Sequence, residues 1–272
     1  MGAGLQQWTS PTNKAVGNRE MAVAHTEFTT EELQRYDRQI LMPQVGRTGQ
    51  QRLKKSMVAI AGAGGLGSPI AMYLAAAGVG HLRLIDCDTV ETGNLNRQLL
   101  HWQEDVGRPK TESALAKLTR INPDIDIEVR CTRIDAHNAT GILAGCDAVV
   151  DALDNLATRY IVNRAVITGG LPFFHGAVNG FEGRAMSILP GKSACLRCLY
   201  KGPVPEEVTP VIGVTPGIIG TIQATEVIKY LLGEGKLLTN RMLHYDGLAM
   251  VFHEFHVRRN PKCDHCGDLF RK

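Results

Sequence analysis

The sequence predicts an α/β protein: a Rossmann-like, mostly parallel sheet with helices on both faces, running into a less regular C-terminal half with antiparallel strands. Three observations predict it. Short apolar runs alternate with helical segments between Met57 and Asp151. A Gly62-Ala63-Gly64-Gly65-Leu66-Gly67 turn joins the first run to the first of those helices. Beyond Pro172 the alternation gives way to hairpin-like strands and two C-x-x-C pairs.

The first 26 residues are rich in Gly, Ser, Thr, Asn and Gln and lack an apolar period, so residues 1–28 are expected to be a flexible tail and 29–272 a single domain. Thr30-Glu31-Glu32-Leu33 suits a helix start, and the following stretch puts Arg35 and Arg38, three apart, on one helical face. Met57–Ala61 reads as a buried strand, Leu66–Ala77 as an alanine-rich helix, and His81–Asp86 as a second strand. A helix over Lys110–Ile121 precedes strands near Ile125–Arg130 and Asp147–Asp151. In the second half Phe173–Val178 and Arg184–Leu189 read as strands and Gly217–Leu232 as a long helix. Met242–Tyr245 and Leu248–Val257 read as a hairpin turning at Asp246-Gly247. Zinc and the substrate-facing surface are expected in this half.

The cysteines carry a separate message. Cys195-x-x-Cys198 and Cys263-x-x-Cys266 each fold two thiolates onto one side of a turn, and together they can close a tetrahedral zinc site with no position left for water. The alternatives are a disulfide pair or unrelated thiols. Seven cysteines without a signal peptide suit a reducing, cytoplasmic setting. A net charge of +3 with no Lys/Arg run argues against nucleic acid, and no apolar stretch is long enough for a bilayer.

The glycine turn lets a backbone approach a phosphate at a helix amino end, and Asp86, nineteen residues past Gly67, stands where a carboxylate can take ribose hydroxyls. A purely structural glycine turn is the alternative. Arg97, Lys110 and Asp154-Asn155 all fall near carboxyl ends of strands, where open α/β sheets bind ligands. Singly, Arg97 or Lys110 would be a solvated charge. Jointly, two cations and a carboxylate for Mg²⁺ fit a nucleoside triphosphate better than a nicotinamide dinucleotide.

These motifs, with Arg35-Tyr36-Asp37-Arg38-Gln39-Ile40, Asp86-x-Asp88, Asn94-Leu95-Asn96-Arg97-Gln98 and Gly107-Arg108-Pro109-Lys110, resemble the MoeB/ThiF/HesA family from about Thr30 to Gly267. Its members are relatives of the ubiquitin-activating enzymes. The resemblance implies ATP-dependent adenylation of the C-terminal glycine of a small ubiquitin-like sulfur carrier (MoaD/ThiS-like) ending in Gly-Gly, in molybdopterin, thiamin or related sulfur-transfer pathways. It implies a homodimer with one zinc per subunit; the acyl-adenylate is then expected to be sulfurated by another protein, such as a sulfurtransferase, or by sulfide. By position, Asp86 would hold the ribose, and Gly62, Gly64, Gly65 and Gly67 would back the phosphates. Asn94, Arg97 and Lys110 would grip the triphosphate, with Gly93, Leu95, Asn96 and Asn155 completing the ATP-binding set. Asp154 would bind Mg²⁺, and Arg38 would reach into the partner's ATP site. The catalytic set is then Arg97, Lys110, Asp154 and Arg38.

In that reaction a glycine carboxylate, already ionised at neutral pH, attacks the α-phosphorus of ATP and pyrophosphate leaves, so charge neutralisation replaces a general base. His101, His137, His175, His244, His253 and His256 are accordingly read as surface or hydrogen-bonded residues. Many relatives carry a cysteine between the first C-x-x-C and the next helix; Leu199–Gly220 has none. Cys87, Cys131 and Cys146 lie beside strands and are expected to be poorly exposed, which argues against a thioester step. Val208–Gly220 reads equally as a crossover loop guiding the carrier's tail or as a turn-rich linker packed on the helix. Three other functions compete: adenylation of a modified tRNA nucleoside, a non-catalytic scaffold for a ubiquitin-like partner, and an NAD-linked oxidoreductase, which gives Lys110 and Asp154 no use.

Overall fold

The computed structural model describes residues 27–200 and 210–270. The expected tail therefore lies mostly outside the described residues. One eight-stranded sheet organises the chain, in the order β3-β2-β1-β4-β5-β6-β7-β8. Its strands are β1 Met57–Ala61, β2 His81–Ile85, β3 Asp126–Arg130, β4 Ala148–Asp151, β5 Phe173–Asn179, β6 Glu182–Ile188, β7 Arg241–Asp246 and β8 Val251–His256. The first five run parallel, and β5 to β8 pair antiparallel.

The helices are α1 Thr30–Arg35, α2 Asp37–Ile40, α3 Gly46–Lys55, α4 Gly67–Ala76, α5 Lys110–Ile121, α6 Ala139–Leu143, α7 Leu156–Gly169, α8 Leu196–Leu199 and α9 Val214–Leu232. Two cores follow from the alternation of side chains along a strand. Val58 and Ile60 of β1 point to the face covered by α4, α5 and α9, where Ile70, Leu74, Leu118, Ile219 and Val227 are buried. Ala59 and Ala61, one residue out of step, point to the face covered by α6 and α7. The four paired cysteines join this second core, so the cysteine module is packed onto α7 and does not stand apart.

Several elements differ from the sequence reading. Arg35 and Arg38 do not share a helical face, because the chain breaks at Tyr36, whose buried hydroxyl accepts a hydrogen bond from Asn122 Nδ2 at 2.8 Å. Arg35 turns to Asp124 and to the Ile121 carbonyl, while Arg38 stays exposed. The long helix begins at Val214, three residues before Gly217, with Pro216 tolerated in its first turn. The β7–β8 hairpin turns through Gly247–Met250, not through a two-residue turn: Asp246 Oδ1 accepts from the Leu248 and Ala249 N–H groups, and Met250 takes a left-handed φ of 55°. Of the segment Val208–Gly220, residues 208 and 209 lie outside the described residues. The rest is packed: Val211 bridges Gly180, and a Cβ at Gly213 would fall 2.3 Å from the Asn96 carbonyl oxygen. Among the described residues no helix is long and apolar enough to cross a membrane.

Candidate adenylation site

A cleft of about 730 Å³ opens at the carboxyl ends of the parallel strands, where β1 is flanked by β2 and β4 and the strand order reverses. Doubly wound sheets bind ligands at this switch point. The glycine turn forms its floor. Gly62 has φ +107°, and a Cβ there would fall 2.5 Å from the Ala152 carbonyl oxygen, so only glycine lets β1 and β4 lie this close. Gly67 is fixed by packing instead: its Cβ would meet the Gly62 carbonyl oxygen at 2.1 Å.

Eight of the sequence-derived residues line this cleft: Gly62, Gly64, Gly65, Asp86, Arg97, Lys110, Asp154 and Asn155. Asp86 sits one residue past β2 and accepts the Ala63 N–H on Oδ2 and the Asp88 N–H on Oδ1, both at 2.8 Å. Each oxygen keeps a lone pair for a further donor. Lys110, the first residue of α5, is buried and donates to Asp88 Oδ2 at 2.8 Å; that ammonium holds the Asp88 carboxyl below the usual carboxylate range. Arg97 spends Nη1 on the Gly93 carbonyl at 2.7 Å and on Asn96 Oδ1 at 3.1 Å, aiming the guanidinium across the turn. Asp154 is exposed on the loop after β4, and Asn155 caps α7 by accepting the Thr158 N–H at 2.9 Å.

Other expected residues stand apart. Gly93, Asn94 and Leu95 form a short turn beside the cleft, in which Asn94 Oδ1 accepts the Glu91 N–H at 3.1 Å. Asn96 lines a neighbouring apolar groove of about 800 Å³ with Leu99, Ile212, Val214 and Phe252. Arg38 lines neither concavity. The sequence reading missed Arg133, an exposed cation on the wall of the cleft after β3, and Arg159 at its back. Arg159 donates to buried Asp151 and to the Gly176 carbonyl, and Asp151 also takes His175 Nδ1 at 2.6 Å. The Arg159 guanidinium and His175 keep the Asp151 carboxyl ionised despite its burial, while burial pushes His175 down, so a neutral imidazole donates to the carboxylate. No sequence motif announces this network; it exists because β4 and β5 pair Asp151 with His175.

Of the three cysteines outside the C-x-x-C pairs, Cys87 and Cys131 are exposed, against expectation, and Cys146 is buried. Both follow the ends of β2 and β3, beyond the covering helices. Partial burial, with the Asp88 and Asp86 carboxylates adding to it, pushes the Cys87 thiol up, so charge and not burial alone keeps this thiol a weak nucleophile.

On the far side of α7 the four sulfurs of Cys195, Cys198, Cys263 and Cys266 lie within 4.8 Å of one another, all buried. Neighbouring pairs stand 3.5, 3.6 and 3.9 Å apart, matching the edge of about 3.8 Å that a tetrahedron with Zn–S of about 2.3 Å requires. The Asn260 N–H donates to Cys198 Sγ at 3.4 Å, as expected of a thiolate ligand, and hydrogen bonds led by the Cys195 thiol hold the Cys198 thiol below its ordinary range. The donor set fits a metal ion. Asn163 of α7 ties the module down, accepting the Leu196 N–H at 3.0 Å and meeting His265 Nδ1 at 2.7 Å.

The geometry agrees with comparisons to known proteins. The model described as "ThiF family" matches residues 36–265. The SAMP-activating enzyme E1 of Haloferax volcanii is 47% identical over 243 residues, covering 87% of this chain and 90% of that protein. The sulfur carrier protein adenylyltransferase of Thermus thermophilus is 44% identical over 252 residues, covering 89% and 93%. Among solved structures, E. coli MccB with MccA-N7isoASN shares the fold with a TM-score of 0.78 at 24% identity, covering 90% of this chain and 76% of that one. The chain belongs to the ThiF family and is an adenylyltransferase.

Proposed function

We propose that this enzyme uses ATP to adenylate the C-terminal glycine of a small ubiquitin-like sulfur carrier, in molybdopterin, thiamin or a related sulfur-transfer pathway. The observation that carries this reading is one cleft holding the glycine turn, Asp86, Arg97, Lys110 and Asp154 together. In it Asp86 takes the ribose, while the glycine turn, Arg97 and Lys110 hold the triphosphate. The cations offset the repulsion between the incoming carboxylate and the α-phosphate and stabilise departing pyrophosphate. Asp154 is the protein ligand for Mg²⁺, which when bound adds further charge neutralisation. Asn155 orients that loop through its cap on α7. Gly93, Asn94, Leu95 and Asn96 shape the turn that aims Arg97.

In this reading residues 29–272 act as one adenylation domain of a cytoplasmic homodimer, with Arg38 entering the partner's cleft and a structural zinc at Cys195, Cys198, Cys263 and Cys266. The exposure of Arg38, the apolar groove beside Arg97 and the exposed edge strand β8 support partner contacts. The acyl-adenylate is then passed to a separate sulfurtransferase or to sulfide. The relatives named for carrier activation support the substrate class. Exchange of labelled pyrophosphate into ATP, stimulated by a Gly-Gly-ending carrier and lost in Asp154→Ala, tests the proposal. Exchange that ignores the carrier, or stimulation by tRNA instead, would replace it.

A further inference from the structure

Behind the glycine turn runs a line of buried polar side chains that the adenylation chemistry does not use. His101 is 3% exposed. Its Nε2 lies 2.8 Å from the Ala63 carbonyl oxygen, and its Nδ1 lies 2.8 Å from Ser113 Oγ. Lys117 Nζ is 3.0 Å from the same Ser113 Oγ and also meets Asp105. Lys110, Ser113 and Lys117 recur at helical spacing on α5, so one face of that helix supplies both the cleft cation and this line.

Two hydrogen-bond directions follow from donor chemistry. A carbonyl only accepts, so His101 Nε2 carries the proton. An ammonium only donates, so Ser113 Oγ accepts from Lys117. Burial favours the uncharged ring, so the imidazole is the neutral Nε2–H tautomer and its Nδ1 accepts the Ser113 O–H. Burial and the nearby Lys110 and Lys117, opposed by the Ala63 carbonyl and Asp105, hold it below its ordinary value and agree with this.

Ala63 is pinned on both sides, its N–H by Asp86 Oδ2 and its carbonyl by His101. In a trans peptide the N–H points opposite to the carbonyl. With the Ala63 carbonyl turned inward to His101, the Gly64 N–H faces the other way, and Gly64 lines the cleft. Among the described residues that N–H has no backbone partner.

We propose that His101 is a positioning residue for adenylyl transfer: through the Lys117–Ser113–His101–Ala63 line it locks the glycine turn with the Gly64 N–H presented to the phosphates. This rests on the reading of the cleft as an ATP site. His101 touches neither nucleotide nor carrier; it acts through the Ala63–Gly64 peptide.

The test separates phosphate recognition from general stability. Binding of ATP with Mg²⁺ and of adenosine is measured by calorimetry on the zinc-loaded full chain, for the parent, His101→Asn, His101→Gln and Ser113→Ala. Gln extends an amide N–H to about the Nε2 position; Asn falls short of it. His101→Asn is expected to weaken ATP about tenfold, the worth of one well-placed hydrogen bond, and adenosine less than about twofold. His101→Gln should return ATP to within about threefold of the parent. Ser113→Ala, which frees the tautomer without touching the turn, should lower the ATP-to-adenosine affinity ratio about threefold and covers the case in which His101→Asn does not fold. Equal weakening of ATP and adenosine, no recovery in His101→Gln, or an unchanged ratio in Ser113→Ala overturns the proposal. A parent that binds no ATP overturns the reading of the cleft itself, a distinguishable result.

Discussion

Replacing Lys110 by Ala removes more than a cation. Lys110 is the partner of Asp88, whose side chain is 58% exposed on the cleft wall. On the proposed reading, losing the ammonium deletes transition-state charge neutralisation, on the order of 10²-fold in rate. It also leaves a bare carboxylate facing the triphosphate. Over roughly 6 Å that repulsion is about 0.7 to 2.8 kcal/mol per phosphate charge for an effective dielectric between about 80 and 20. The exposure of Asp88 places it near the lower end, about 1 kcal/mol or roughly fivefold. Lys110→Ala should therefore lower carrier-dependent pyrophosphate exchange by about 500-fold, and Asp88→Asn/Lys110→Ala should recover about fivefold of that. The assay is exchange at saturating carrier over a range of ATP, with melting temperatures of both variants. A double variant no faster than the single one would mean that Asp88 does not face the triphosphate, and near-normal exchange in Lys110→Ala would remove Lys110 from the site.

Three further outcomes are expected. Cys198→Ser should lower the melting temperature by roughly 10 °C and release zinc, since the module packs on the α7 face, yet leave ATP affinity within about threefold; elemental analysis of the parent without zinc would refute the site. His175 faces Asp151, Arg159, Arg184 and Tyr200 and is held below its ordinary value of about 6.5, so folding opposes its protonation; its share of stability is complete above that pH and is lost as pH falls through it. His175→Asn, which keeps a donor for Asp151, should show a shallower loss of melting temperature from pH 7 to 5.5, and an identical slope would refute this. A variant with Cys87, Cys131 and Cys146 all replaced by Ala should still adenylate its carrier, and a reductant-sensitive carrier–enzyme adduct present in the parent and lost in that variant would reveal a covalent sulfur step.

The parallel half was legible because its central strands, Met57–Ala61 and Ala148–Asp151, are buried on both faces and read as apolar runs. The glycine turn and the cysteine spacing were legible because each needs one residue type at fixed positions. Helix α7 was not, since it buries Arg159 and Asn163 among Val162, Ala165 and Val166 and so lacks a clean apolar stripe. The partners of those two polar residues are set by tertiary contact, with Asp151 beneath the cleft and with the cysteine module. The break at Tyr36 was hidden for a similar reason: it depends on Asn122, far along the chain. Exposure of Cys87 and Cys131 turned on where each strand ends relative to its covering helix, which periodicity locates only to within a residue or two.

The most direct measurement is the intact mass of a Gly-Gly-ending carrier after incubation with the enzyme, ATP and Mg²⁺ and rapid acid quenching. The expected product is a carrier heavier by one adenylyl group, located by fragmentation on the C-terminal glycine, formed by the parent and absent with Asp154→Ala. A carrier of unchanged mass while ATP is consumed, or an adenylyl group on any other residue, would contradict it.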